Sequence, residues 1–117
     1  MNTKLIGAFG EQCAARHLRE KGYEVLSANY SSGTGEIDIV VIKDEVLSFV
    51  EVKTRTVGAM LPPSSAVDYK KQENIRNTAA AYLSRSKLNY RYTFDIVEVL
   101  VTENMEIVDV NHVIDAF

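Results

Sequence analysis

Two carboxylates and a lysine stand close together in a stretch of the sequence that is otherwise rich in Ile, Val and Phe. Asp38 lies in the segment 35–42, and Glu51 and Lys53 lie in the segment 48–55. Mg²⁺ and Mn²⁺ prefer oxygen ligands, which Asp38 and Glu51 can supply. A neighbouring lysine can orient a water molecule and offset the charge of a phosphate. These residue types predict metal-assisted hydrolysis of a phosphodiester bond.

Both segments have the composition of β-strands, and a short polar break separates them. A two-residue hairpin loop at residues 44–45 would bring Asp38 opposite Glu51 and Glu36 opposite Lys53. All four side chains would then lie on one face of the sheet. A shift of one residue would move one charged pair to the other face, so the register is the property to test.

Apart from these charges, both faces of the expected hairpin are apolar, which is typical of strands covered by helices on each side. A charged group is costly to desolvate there unless it is paired or bound to a metal, and such conflicts with the folding pattern often mark functional sites. One face is expected to carry Ile37, Ile39, Val41, Val50 and Val52, and the other Val40, Ile42, Leu47 and Phe49 together with the charges.

A structural ion pair is the competing interpretation. Glu-x-Lys sequences are common on exposed strands, where the pair contributes at most about 1 kcal/mol. A purely structural cluster predicts that Asp38→Asn lowers stability and changes nothing else. The spacing alone leaves both interpretations open.

The composition limits the class of protein. The chain has 117 residues, 46% of them hydrophobic and 25% charged, so we expect a single globular domain over residues 1–117. There is no run of roughly 20 apolar residues and no signal-peptide pattern, so we expect a cytoplasmic protein without membrane spans. Cys13 is the only cysteine, which excludes an internal disulfide bond and a cysteine zinc site. His17 and His112 each stand alone and are not treated as catalytic.

The charges are unevenly distributed. The net charge is −3, but residues 52–93 carry +6 and residues 94–117 carry −6. The basic part could form a surface for phosphates, or a solvated helix face, and both interpretations stay open. Lys70 and Lys71 fall in the first turns of the second predicted helix, where they oppose the helix dipole, and a bound phosphate would explain them.

The remaining sequence predicts the elements that position these residues. With the hairpin, the order is helix, three strands, helix, two strands, which predicts an α/β three-layer sandwich with a mixed sheet flanked by helices. Glu11 on the first helix either points toward the edge of the sheet or is solvated. A loop around Pro62 and Pro63 is long enough to act as a substrate flap. The predicted helices span residues 3–21 and 65–86, and the other strands span 23–30, 90–101 and 106–110.

Short motifs extend over nearly the whole chain: Gly10-Glu11 with Ala14, Gly22-Tyr23, Asn29-Tyr30, Gly35-Glu36-Ile37-Asp38, Phe49-Val50-Glu51-Val52-Lys53-Thr54-Arg55, Lys70 and Phe94-Asp95. In these motifs the sequence resembles the YraN-like family of small bacterial proteins. That family is similar to the restriction-endonuclease-like, PD-(D/E)xK, superfamily, which includes archaeal Holliday junction resolvases.

The resemblance implies a restriction-endonuclease-like core, α-β-β-β-α-β, and Mg²⁺-dependent or Mn²⁺-dependent cleavage of nucleic acid. By position, it implies that Asp38 and Glu51 are metal ligands, with the main-chain carbonyl of Val52 as a further ligand. It also implies that Lys53 is the catalytic lysine. Glu11 matches an acid of the first helix that joins the metal site in some relatives.

For nucleic acid, the resemblance implies phosphate contacts at Arg55 and Lys70, and Lys71 is added as their neighbour. It assigns no role to Glu36. We expect a metal-dependent endonuclease acting on DNA, with branched or damaged DNA as the substrates to test and a homodimer by analogy with resolvases. The alternative is a non-catalytic module that retains the fold and binds nucleic acid or a protein. Salt-sensitive DNA binding unaffected by Mg²⁺ would favour that module.

Overall fold

The computed structural model describes residues 3–58, 67–87 and 89–117. It has the predicted order of elements and the predicted three-layer α/β sandwich. The region around Pro62 and Pro63, expected to form a flap, lies outside the described residues. The elements are α1 (Thr3–Glu20), β1 (Glu24–Ser32), β2 (Gly35–Lys43), β3 (Val46–Thr56), α2 (Tyr69–Ser86), β4 (Arg91–Val101) and β5 (Ile107–Val113).

The five strands lie across the sheet in chain order. Neighbouring strands are antiparallel except β3 and β4, which are parallel. A parallel pair needs a crossover connection, and α2 lies in that connection. Helix α2 begins at Tyr69 with Asp68 as its N-cap, whose carboxylate accepts a hydrogen bond from the Lys71 N–H at 2.9 Å. The expected start at Ser65 lies outside the described residues. No described helix is long and apolar enough to cross a membrane.

The hairpin of β2 and β3 has the predicted register, from Lys43 opposite Val46 to Ile39 opposite Val50. The two loop residues, at positions 44 and 45, have φ angles of +51° and +63°. Both are left-handed, as a type I′ turn requires, and this turn matches the twist of paired strands. The turn therefore fixes which residues of β2 and β3 face each other.

Each face of the sheet packs on one helix. Cys13 is 6% exposed, as expected for a small buried side chain. On the α1 face, the core consists of Cys13, Ala14 and Leu18 with Ile39, Val41, Val50, Val97, Val99 and Val101. On the α2 face, it consists of Ile75 and Ala79 with Val67, Ile37, Val40, Leu47, Phe49 and Ile96.

Ile37 lies on the opposite face of the sheet from the one predicted. Strict alternation placed it with Ile39 on the α1 face, but it packs in the cluster beneath α2. At this level β2 leaves its pairing with β3, whose last pair is Ile39 and Val50, and its pairing with β1 skips from Ala28–Ile39 to Tyr30–Ile37. Asn29, between these two β1 residues, has a φ of +53°. The period-two rule assumes a regularly paired strand, and β2 loses that regularity on both sides at Asp38.

Gly10 allows α1 to lie close to β3. A Cβ atom at this position would overlap Thr54 Oγ1 and would lie 3.1 Å from Thr54 Cβ. The side chain of Thr54 therefore occupies the space that any larger residue at position 10 would need. This close approach fixes the height of α1 over the sheet, and with it the position of Glu11.

Candidate functional site

Strands β2 and β3 separate at the level of the predicted site. Their ladder reaches Ile39 and Val50, after which β2 continues along β1 and β3 continues along β4. Asp38 and Glu51 are the next residues beyond the last pair. The separation leaves a gap between the two strands, and side chains fill it in place of a neighbouring backbone.

Asp38 lies in this gap. Its Oδ2 atom accepts a hydrogen bond of 2.8 Å from the Val52 N–H. Burial, and then the charge of Glu51, raise the pKa of Asp38 from its ordinary value of 3.8 to about 7. The N–H and C=O of one strand residue point to the same side of the strand, so we infer that the Val52 carbonyl also faces the gap.

Glu51 is 7% exposed and has two lysines beside it. Its Oε1 atom lies 3.1 Å from Lys71 Nζ and 3.9 Å from Lys53 Nζ. Burial and the neighbouring Lys71 lower the pKa of Lys53. Burial also acts to lower the pKa of Lys71, but its hydrogen bond with Lys53 and the charge of Glu51 raise it overall. Lys71 is therefore the ammonium group that neutralises Glu51.

The direction in which the pKa of Asp38 is shifted differs from that expected of an ion-pair cluster that stabilises the fold. In a stabilising ion-pair cluster, the positive partners hold the pKa of each carboxyl group low. Here burial and the repulsion from Glu51 outweigh the attraction of Lys71, so the pKa of Asp38 is raised. A buried carboxyl group whose pKa is raised by burial and by a neighbouring acid is more typical of metal and catalytic sites.

Glu11 points toward the sheet at its β1 edge, which is one of the two orientations that the sequence left open. The side-chain amide of Asn29 is oriented with its nitrogen toward the carboxylates. This nitrogen lies 3.0 Å from Glu11 Oε1 and 3.2 Å from Glu36 Oε1. Burial, followed by the charges of Asp38 and Glu36, raises the pKa of Glu11. Glu36 was expected to face Lys53. That expectation is wrong, because the β2–β3 ladder ends at Ile39 and Val50, and Glu36 lies opposite Ser31 of β1 and shares the Asn29 amide with Glu11.

The site has the donors that a hard divalent cation needs. Within residues 3–58, 67–87 and 89–117, no three His, Cys, Asp or Glu side chains are grouped closely enough to hold a metal ion. Mg²⁺ does not need such a cage, because it commonly binds through one or two carboxylates and keeps several waters. Asp38, Glu51 and the Val52 carbonyl fit this requirement, whereas Glu11 does not complete a three-carboxylate group. A cation would also relieve the repulsion between Asp38 and Glu51.

Two of the three basic residues expected to contact nucleic acid have acidic partners inside the protein. Arg55 Nε lies 2.7 Å from a carboxylate oxygen of Glu98, and both side chains are largely buried. Lys71 pairs with Glu51. Lys70 is exposed on the first turn of α2. The excess of positive charge counted along the sequence is thus partly neutralised within the fold.

Arg16 and Arg19 were missed by sequence reasoning. Both are exposed on α1, and both line a cleft that also contains Asp38. They were overlooked because the charge count drew attention to the segment after residue 52. The signal was present in the helix periodicity, since Gln12, Arg16 and Arg19 are spaced to lie along one face.

Asp95, part of one of the motifs, has a structural position. It is fully buried, and it accepts hydrogen bonds from Thr93 Oγ1 at 2.7 Å and from the Asp115 N–H at 3.0 Å. His112 Nε2 lies 2.7 Å from its other oxygen. Burial alone would raise the pKa of Asp95, but these contacts lower it overall. The carboxylate ties β5 and the residues after it to β4.

Comparison with known proteins identifies relatives along the full chain. The model of the Uncharacterised protein family UPF0102 matches residues 10–99, a range that contains Glu11, Asp38, Glu51, Lys53 and Lys71. A UPF0102 protein of Alkaliphilus oremlandii is 44% identical over 120 residues and is covered completely, as is this chain. A UPF0102 protein of Clostridium perfringens is 41% identical over 116 residues, which cover 98% of this chain and 95% of the relative.

Proposed function

The chain belongs to the UPF0102 family, and we propose that it is a metal-dependent nuclease that hydrolyses phosphodiester bonds of DNA. The observation that carries the proposal is the gap between β2 and β3, where Asp38 and Glu51 adjoin with Lys53 beside them. Burying Asp38 beside Glu51 costs free energy, and the contacts with the Val52 N–H and Lys71 recover it only in part, since the pKa of Asp38 stays raised. A bound cation would recover it, and the same cation supports phosphodiester chemistry.

Each residue has a definite role in this proposal. Asp38, Glu51 and the Val52 carbonyl would hold Mg²⁺ or Mn²⁺, which supplies a Lewis acid for the phosphate oxygens. Lys53 orients the attacking water and offsets the negative charge that develops during hydrolysis. Lys71 neutralises Glu51 and keeps the buried carboxylate compatible with the fold before the site is loaded.

The substrate and assembly belong to the same proposal. DNA with a branch or a flap is the first class to test, because of the resemblance to Holliday junction resolvases. A homodimer would place two such sites on two strands, as expected for a two-fold arrangement. Both statements rest on analogy of fold and site rather than on a contact in the structure.

A cleavage assay tests the proposal. Wild type, Asp38→Asn and Glu36→Gln are incubated with labelled four-way, flapped and linear DNA in the presence of Mn²⁺. We expect wild type and Glu36→Gln to cleave at least one substrate, because Glu36 lies outside the proposed ligand set. Asp38→Asn should be at least about a hundredfold slower, since it loses a charged metal ligand.

The same assay identifies the alternative. If wild type cleaves none of the substrates and binds DNA with a salt-sensitive affinity that Mg²⁺ leaves unchanged, the protein is a binding module rather than a nuclease. Cleavage that persists undiminished in Asp38→Asn would show that the activity belongs to another site or to a contaminant.

A further inference from the structure

A cleft of about 520 Å³ lies between α1 and the β1–β2 edge of the sheet. Its volume is within the range of sites that take one small organic ligand, roughly 300–1,000 Å³. Small apolar side chains, including Ala15, Ala28 and Ile39, line part of it. Because alanines leave room beside the backbone, a flat group such as a nucleobase can lie against them.

The cleft shares Asp38 with the candidate metal site. Asp38 lines the cleft and also contacts the Val52 N–H in the gap between β2 and β3. Glu11 and Asn29 line the cleft as well and lie next to Asp38. A strand whose phosphate lies at Asp38 can therefore extend directly into the cleft.

Arg16 and Arg19 place positive charge in the same cleft, away from the carboxylates. They follow Glu11 by five and eight residues, which is about 7–12 Å along the helix axis at 1.5 Å per residue. Two or three stacked nucleotides span that distance at about 3.4 Å each. Both arginines are exposed, and neither has an ion-pair partner among the residues that the structure describes. Guanidinium groups suit phosphate contacts.

We propose that this cleft binds an unpaired nucleotide next to the cleaved phosphate, with Arg16 and Arg19 on the following phosphates of the same strand. The inference rests on the proposed function and adds a substrate class to it, namely DNA with unpaired nucleotides beside the cut. The two ends of the cleft carry opposite charges. Glu11 and Asp38 repel phosphate at one end unless a cation is present, while the arginines attract it at the other.

The test measures binding without cleavage. ¹⁵N-labelled protein in EDTA is titrated with a short 5′-phosphorylated oligothymidylate while the backbone amide NMR signals are followed. We expect the largest shifts at cleft residues such as Ala15 and Ala28. The double variant Arg16→Gln/Arg19→Gln should bind at least about tenfold more weakly, because it loses two charge-assisted contacts.

A matched double variant, Arg85→Gln/Arg91→Gln, controls for net charge, since both arginines are exposed on other parts of the fold. Amide spectra of both variants verify that they are folded. Equal weakening in the two double variants, or shifts centred away from the cleft, would overturn the inference.

The outcome is separable from that of the proposed function. If amide signals shift in the cleft but no DNA is cleaved, the nucleotide site is supported and the proposed nuclease function is rejected. Cleavage of flapped DNA by wild type at the same rate as by Arg16→Gln/Arg19→Gln would retain the nuclease and remove the nucleotide site.

Discussion

At the scale of single residues, the surroundings of Asp38 disfavour its ionised form. Its pKa is raised from 3.8 to about 7, so between these two pH values the folded protein holds a proton that the unfolded chain has released. The stabilisation from that proton is complete below about pH 4 and is lost as the pH rises to about 7. The ionised Asp38 carboxylate therefore lowers the free energy of unfolding at neutral pH.

This cost predicts the effect of Asp38→Asn on stability. The asparagine oxygen can still accept the Val52 N–H, while the repulsion from Glu51 is removed. In EDTA, the free energy of unfolding of wild type should fall from pH 4 to 7, and that of the variant should vary less. At pH 8 the variant should be more stable than wild type by about 1–3 kcal/mol. Urea unfolding at a series of pH values measures both.

Asp109→Asn is the control, because Asp109 is exposed on β5 and its replacement should change stability by less than about 0.5 kcal/mol. A loss of stability in Asp38→Asn at pH 8 would contradict the account. It would support the structural ion-pair cluster that the sequence alone left open.

At the scale of elements, the packing of α1 on β3 depends on Gly10. Gly10→Ala would push its methyl group into Thr54, so we expect a loss of about 1–3 kcal/mol from overpacking. Gly7 lies in the same helix with nothing within 4 Å of an added Cβ atom. Gly7→Ala should therefore gain up to about 1 kcal/mol from helix propensity. Thermal unfolding of the two variants measures the contrast, and equal effects would show that the close approach is not needed.

The elements also show which features a sequence can predict. The register of the hairpin was predicted because a two-residue loop at 44–45 fixes it, and Asp38, Glu51 and Lys53 were identified because charges conflict with an apolar pattern. Ile37 and Glu36 were misplaced because both lie beyond the end of the β2–β3 ladder, and no local pattern signals where two paired strands separate. The partners of Arg55 and Lys71 depend on the packing of distant elements, so no count of charges along the chain could identify them.

At the scale of the whole molecule, the net charge of −3 and the internal ion pairs limit electrostatic attraction to DNA. Arg16 and Arg19, which the nucleotide-site proposal assigns to phosphates, are exposed, and so is Lys70, for which the resemblance implies a phosphate contact. With about three such contacts, the logarithm of the association constant should fall with the logarithm of salt concentration with a slope of about −2 to −3. Fluorescence anisotropy of labelled flapped DNA without Mg²⁺ measures this slope. A slope steeper than about −6 would show that Arg55, Lys71 and further cations leave their internal partners and contact the DNA.

The binding of Mn²⁺ tests the central claim most directly, because the proposed hydrolysis requires a cation at Asp38 and Glu51. Isothermal titration is carried out with wild type, Asp38→Asn and Glu36→Gln at pH 8. The account predicts binding to wild type and Glu36→Gln that is lost in Asp38→Asn. Binding that is negligible in wild type, or equal in wild type and Asp38→Asn, would contradict it.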